Sequence, residues 1–426
     1  MKPWTWLLFV GCFATFLYLC RPGASSPPVP LTEQATTPRL LGAGSCAAAA
    51  CHNGNFAHGQ ARSEYTFWIT RDPHARAYEV LFNERSKSIQ KNLQRTISAH
   101  EEQRCLSCHV APAYVETKPP EQAPQFKTDG VSCESCHGPA SQWINEHHLD
   151  AWQTRKPAEK QRLGMNDTRS LAGRAQVCAT CHVGMPGIEV DHDLIAAGHP
   201  RLHFELAAFH AHLPRHWPDA KDRAGVADFE ERLWAVGQLA TTHAALELLA
   251  DRAGNKSKPW PEFAEFDCGA CHHDLKSSRE QPRPGFAKRK AGSLSWGPQA
   301  FASISLRQLL PDHKPLHDAL SALRGKMDTG DLSREPIARD ATQAARLLRP
   351  TLDSLLPAGP HGNKIALDLL ESPRAARDEE TQRLLAIAAL TTSNRPAALQ
   401  KSLGMLRISA YDPSAVQRVL LELRKP

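Results

Sequence analysis

Apolar residues are in short supply. They make up 41% of the 426-residue chain, under the roughly 45–50% of an ordinary soluble domain. Proline, with 32 residues, is above average. A chain this polar and this proline-rich has a thin protein-only core, so another source of apolar bulk is expected. Cysteine is absent after Cys271, which denies the C-terminal part any thiolate ligand of its own. Charge of one sign is also lacking: 51 basic residues stand against 45 acidic ones, a formal +6.

What is present begins with "MKPWTWLLFVGCFATFLYLCRPGASS". Lys2 gives a positive start, Trp4 to Cys20 is uncharged, and small residues follow at Gly23, Ala24 and Ser25. This is a secretory signal over residues 1–24. An uncleaved N-terminal anchor is the alternative, because the apolar run is long for a signal. Either way the rest of the chain is expected outside the cytoplasm, in the periplasm. Cys12 and Cys20 then have no part in the mature protein, leaving ten cysteines. The default for an exported chain is five disulfides.

The spacing argues otherwise. "CLSCH" holds Cys105, Cys108 and His109; "CESCH" holds Cys133, Cys136 and His137; "CATCH" holds Cys178, Cys181 and His182; "CGACH" holds Cys268, Cys271 and His272. Each is C-x-x-C-H, the attachment signature of a c-type haem. Two sulfurs form thioethers to the porphyrin edge, and the adjacent histidine ligates iron. A disulfide framework has no use for a histidine after every second cysteine, and a zinc ribbon does not require one. "CAAAACH" keeps Cys46, Cys51 and His52 and lengthens only the spacer. Small alanines allow such a bulge. A disulfide across the four alanines is the alternative there.

The expected complement is therefore five c-type haems, about one per 45 residues, too dense for separate globin-like pockets. The macrocycles themselves would supply the missing core. Ferric haems with two propionates each add roughly −1, so the holo-protein is near neutral and a nucleic-acid partner gains no support.

Each iron has a far side. Of 21 histidines, His192, His199 and His216 lie in the histidine-rich segment between the fourth and fifth motifs. His192 and His199 are the preferred distal ligands there, with Gly198 and Pro200 interrupting a helix between them; His216 is the weaker choice. His74 sits in "RDPHARAYEVL", where Asp72–Pro73 reads as a helix start. His147 follows the third motif, with His148 beside it. His243 lies on an apolar helical stripe with Phe229, Leu233 and Leu246 and reads as a core residue.

The order of these pieces resembles the cytochrome c-554 family, tetrahaem electron carriers that serve hydroxylamine oxidoreductase. The resemblance rests on the first motif followed by "W..RDPHARAYEVL", then "CLSCH", then "DGVSCESCHGPA", and spans about residues 43–182. It implies His74 and His147 as distal ligands. The chain departs in its fifth motif, its longer first spacer and its cysteine-free C-terminal part. Pentahaem nitrite reductases use a Cys-x-x-Cys-Lys site, absent here. Hydroxylamine oxidoreductases carry eight haems, more than five motifs allow.

The expected fold is mainly α with little regular sheet: a disordered linker over 25–40, a pentahaem domain over 41–280, a linker over 281–299, and a haem-free α-helical domain over 300–426. The expected function is electron transfer between redox partner proteins. The alternatives are an oxidoreductase of a small nitrogen or sulfur compound at one five-coordinate haem, which the family resemblance places first at His109, and a subunit of a membrane-bound respiratory complex.

Overall fold

A computed structural model of the chain describes residues 37–353, apart from 57–59, 113–124, 203, 218–222, 224–228, 267–295, 297–305 and 308. The fifth motif, the N-terminal segment and the helical pattern after 353 lie outside the described residues. Within them the protein is helical, as expected, with no strand. Only the isolated bridges Met185–Ile188 and Phe266–Trp296 break the pattern. No helix among the described residues is long and apolar enough to cross a membrane.

The first half is built from short pieces: α1 (Glu64–Arg71), α2 (Glu84–Asn92), α3 (Gln103–His109), α4 (Cys133–His137), α5 (Asp150–Thr154), α6 (Pro157–Arg162), α7 (Leu171–His182), α8 (His192–Ala197) and α9 (Leu206–His212). Helices this short are marginal in isolation. Caps start them: Asn83 accepts from Ser86 N, Ser170 from Gly173 N and Asp191 from Leu194 N. Apolar packing in this half is scattered over small clusters. Leu81, Ala99, Leu106 and Val110 form one; Ile89, Val190, Leu194 and Ala197 another; Ala140, Trp143 and Trp152 a third. None is large enough to hold so many short helices by itself, which is the physical face of the scarce apolar composition.

The second half has a conventional core. α10 (Phe229–Gly254), α11 (Lys314–Thr329) and α12 (Arg334–Asp353) bury Leu233, Leu239, Leu246, Leu249, Leu316, Leu323, Met327, Ile337 and Leu348. Full burial of such side chains contributes about 1.5–3 kcal/mol each. On α12, Ile337, Ala341, Ala344, Leu348 and Leu352 recur at helical spacing, and the alanines let α10 approach closely. α10 is buried nearly all round, because α7, α9 and α12 each pack on it. His243 lies in this surface, 7% exposed, with Nδ1 3.4 Å from Glu247. Arg334 ties α12 to the end of α10, donating to the carbonyls of Asn255 (2.9 Å) and Lys258 (2.6 Å).

Candidate functional site: paired histidines around four cysteine motifs

Four of the five motifs are described. The third shows how sequence sets local geometry. Cys133, Cys136 and His137 ride on α4, which opens with a capping box between Ser132 and Ser135. It ends at Gly138, whose φ is +83°. A Cβ there would stand 2.0 Å from the Gly164 carbonyl oxygen, so only glycine fits. Glu134, inside the motif, is 4% exposed. Its carboxylate accepts from the backbone N–H groups of Leu41, Gly42 (2.7 Å) and Ala140 (2.8 Å). Asp129 likewise accepts from Ala43 N (2.8 Å). These two carboxylates fix the segment leading into the first motif against the third.

The long first spacer is folded up. Ala43–Cys46 forms a 3-10 turn, and the Ala48 carbonyl accepts from Cys51 N (2.8 Å), His52 N (3.1 Å) and Asn53 N (3.3 Å). The extra alanines are taken into a tight turn that still delivers Cys51 and His52 together. Cys46 meets Cys133 of the third motif side chain to side chain. On α3 and α7, Cys108 meets Cys181 in the same way. None of the eight described cysteines is joined in a disulfide, and Cys51 and Cys136 are the exposed members.

Histidines then face each other in pairs. His52 and His147 have ring centroids 6.1 Å apart at 17°. His74 and His182 are 6.0 Å apart at 78°. His137 and His216 are 6.3 Å apart at 72°. His148, the neighbour of His147, is exposed. A direct stack is closer: Phe82 and His100 lie 4.2 Å apart at 16°. Two imidazoles sharing one metal, each at ~2 Å, need centroids about 6 Å apart.

The outer nitrogens support the same reading. His109 donates Nδ1–H to the Ala77 carbonyl (2.6 Å), His147 to Ile144 (2.6 Å) and His199 to Pro200 (2.7 Å). A carbonyl can only accept, so each ring is the Nδ1–H tautomer with a bare Nε2 lone pair. His52 and His74 place Nδ1 2.9 Å from the carboxylates of Glu64 and Asp72. Orienting partners of this kind are what metal-ligating histidines carry. Burial pushes His137 and His182 down to about 4, and burial also lowers His109, His147, His199 and His216. All of these rings are thereby held neutral, the form that ligates. His52 moves up instead, through its hydrogen bond to Glu64, which outweighs burial.

The remaining expected residues fall as follows. His192 heads α8; its backbone N–H donates to Glu262 (2.9 Å), and its ring lies edge-on to Phe263 at 5.7 Å. Cys268, Cys271 and His272 lie outside the described residues. A cavity beside His182 is lined by Arg201, Phe204, Gln238, Thr241 and Arg252. The Thr241 hydroxyl is buried with no partner in the protein, as is His216 Nδ1. Buried polar groups of that kind fit a bound polar group rather than a closed protein core. Glu64, Asp129 and Glu134 were missed by sequence reasoning. Only Glu134 carried a signal, an acidic residue inside a haem motif.

Cysteine pairs each followed directly by a histidine have the form of c-type haem attachment sites. Comparison with known families agrees: residues 45–138 match the family model described as cytochrome c554 and c-prime. That stretch runs from the first motif through the third. The match supports a c554-type cytochrome with covalently bound c-type haem, and an electron-transfer role. No curated protein and no solved structure matches the chain.

Proposed function

We propose that the protein is an exported, periplasmic electron-transfer protein carrying five c-type haems, passing electrons between respiratory partner proteins. The observation that carries this is the set of three histidine pairs at 6.0–6.3 Å, each joining a motif histidine to one from elsewhere in the chain. His52, His137 and His182 would ligate three irons, paired respectively with His147, His216 and His74. His109 and His272 would serve the other two, with His192 and His199 as further ligands.

Covalently held haem would supply the Fe(III)/Fe(II) couple. The chain's own part is to hold two neutral imidazoles on each iron and to keep the rings close. Two strong ligands favour electron transfer over binding of a substrate. The contacts Cys46–Cys133 and Cys108–Cys181 bring the first motif to the third and the second to the fourth, so haems attached there would be held close enough to exchange electrons. Signal-like residues at the N-terminus support export.

The test is an EPR spectrum of the oxidised holo-protein, integrated against total haem from the pyridine haemochrome assay. Near-parallel imidazole planes split the two iron orbitals that bond to them; near-perpendicular planes leave them nearly degenerate. The near-parallel His52–His147 site is expected to give a rhombic low-spin signal. The steeply crossed His74–His182 and His137–His216 sites are expected to give highly anisotropic low-spin signals. High-spin intensity equal to three haems would sink the pairings.

Glu64 sets one site apart. A carboxylate on Nδ1 gives His52 imidazolate character and stabilises the ferric state. Glu64→Gln keeps a hydrogen-bonding group and removes the charge. The haem at His52 is expected to move to a more positive reduction potential in a spectroelectrochemical titration, with the other haems unmoved.

A further inference from the structure

The three paired sites would share one ligand set, two imidazoles, so ligand identity does not separate their reduction potentials. Hydrogen bonds behind the ligands also tune a haem, and there the three sites differ.

At His74 the partner is a buried carboxylate. Asp72 Oδ1 accepts from His74 Nδ1 at 2.9 Å and from the His74 backbone N–H at 3.0 Å. A carboxyl oxygen that accepts twice is held in its ionised form. The Asp72 side chain is 7% exposed. Its place is set by the backbone: Asp72 N donates to the Trp68 carbonyl at the end of α1, and Asp72 caps the turn Pro73–Arg76. At His52 the partner Glu64 stands at the same 2.9 Å, but its side chain is 24% exposed. A negative charge acts more strongly where less water screens it.

At His137 the partner carries no charge. It is the Thr168 hydroxyl, with Oγ1 3.3 Å from Nδ1. The loop that presents it is tied to the motif, because Thr168 N donates to the Asn166 carbonyl (3.0 Å) and Asn166 N to the His137 carbonyl (2.9 Å). The facing ring, His216, has its Nδ1 buried without a partner in the protein. The outer nitrogens of these two rings therefore meet no carboxylate.

We propose that these partners rank the three irons: the His74–His182 site has the lowest reduction potential, the His52–His147 site the next and the His137–His216 site the highest, with Asp72 as the positioning residue that sets the low end. The ranking rests on the haem reading above and deepens it, because it names where electrons collect. A carboxylate behind a ligand favours ferric iron. Electrons shared among the three sites then come to rest at the third motif.

The experiment is a redox titration of the full-length holo-protein followed by EPR, with Asp72→Asn and Thr168→Asp beside the unaltered chain. Haemochrome content and low-spin intensity of the unaltered protein are measured first; their failure would overturn the haem reading rather than the ranking. Asparagine keeps a capping side chain and removes the charge. Asp72→Asn is expected to move one highly anisotropic signal to more positive potential, with the rhombic signal unmoved. The charge of Asp72 also reaches His216, so a second anisotropic signal is expected to follow by a smaller amount. Thr168→Asp puts a carboxylate behind His137 and is expected to move that second signal to more negative potential. In the unaltered protein the signal moved by Thr168→Asp is expected to disappear first on reduction, the rhombic signal next, and the signal moved most by Asp72→Asn last. A different order overturns the ranking. So does either variant that keeps its full haem count and leaves its signal unmoved. Should Asp72→Asn lose haem, Thr168→Asp and the order of disappearance still decide.

Discussion

Replacing Cys46 and Cys51 together by alanine is expected to lower the haem content of the holo-protein by one and to leave the rest of its haem in place. The argument starts from the spacer. Four residues between the sulfurs would carry Cys46 too far from Cys51 if the segment were extended. Instead Ala48 gathers three N–H groups, and the chain folds back within one turn. Alanine suits this because it adds no bulk to be accommodated. The downstream histidine is then presented as in the shorter motifs, 6.1 Å from His147 and oriented by Glu64. A Cys46–Cys51 disulfide would not need His52 in that arrangement, nor would it direct Cys46 toward Cys133. Intact mass and the haemochrome assay read the outcome directly. A drop by one haem, with loss of the rhombic EPR component assigned to the His52–His147 pair, supports the lengthened motif as a working one. An unchanged haem count leaves the disulfide standing.

The parts of this site that were legible in sequence are those in which function fixes local spacing. Each motif histidine follows its cysteine directly, so covalent chemistry writes it into the string. The turn bearing His74 was legible because Asp72 and Pro73 mark a helix start, though a ligand role for His74 came only from the family resemblance; the structure shows Asp72 both capping the turn and holding His74 Nδ1. Gly198 was legible as a break between His192 and His199, since its φ of +122° excludes helix continuation. Which histidine meets which was not legible. His216 reaches His137 across 79 positions of chain, and His74 reaches His182 across 108; no periodicity records such pairings. Glu64 was invisible for a related reason: it lies twelve positions from His52 and meets it only through the spacer turn. The stripe read on α10 was real but incomplete. Leu233 and Leu246 lie on it, yet Trp234, Leu249 and Ala253 are buried beside them, because three helices cover α10 rather than one.

Arg252→Met is expected to lower the unfolding free energy by about 3–5 kcal/mol, the usual cost of stranding one partner of a buried ion pair. Arg252 is 5% exposed on α10. Its Nε donates to Glu189 Oε2 (2.7 Å), its Nη1 to Glu265 Oε1 (2.7 Å), and its Nη2 to the Val190 carbonyl (3.2 Å). Glu189 has a second cation in Lys258. Burial would raise its carboxyl, but Arg252 and Lys258 together hold it below the ordinary value. Glu265 is less well supplied. It is 1% exposed, and besides Arg252 it accepts from Trp296 Nε1 at 3.2 Å. Methionine fills the volume of the arginine stem and leaves Glu265 buried without its cation, so the loss falls mainly on that carboxylate. Adding Glu265→Gln removes the stranded charge. In a double-mutant cycle by denaturant titration, Arg252→Met/Glu265→Gln should therefore recover part of the loss seen in Arg252→Met alone. Equal stability of the single and double variants would mean that the network is held by packing of α10 against the 189–190 and 263–266 segments, and that its charges contribute little.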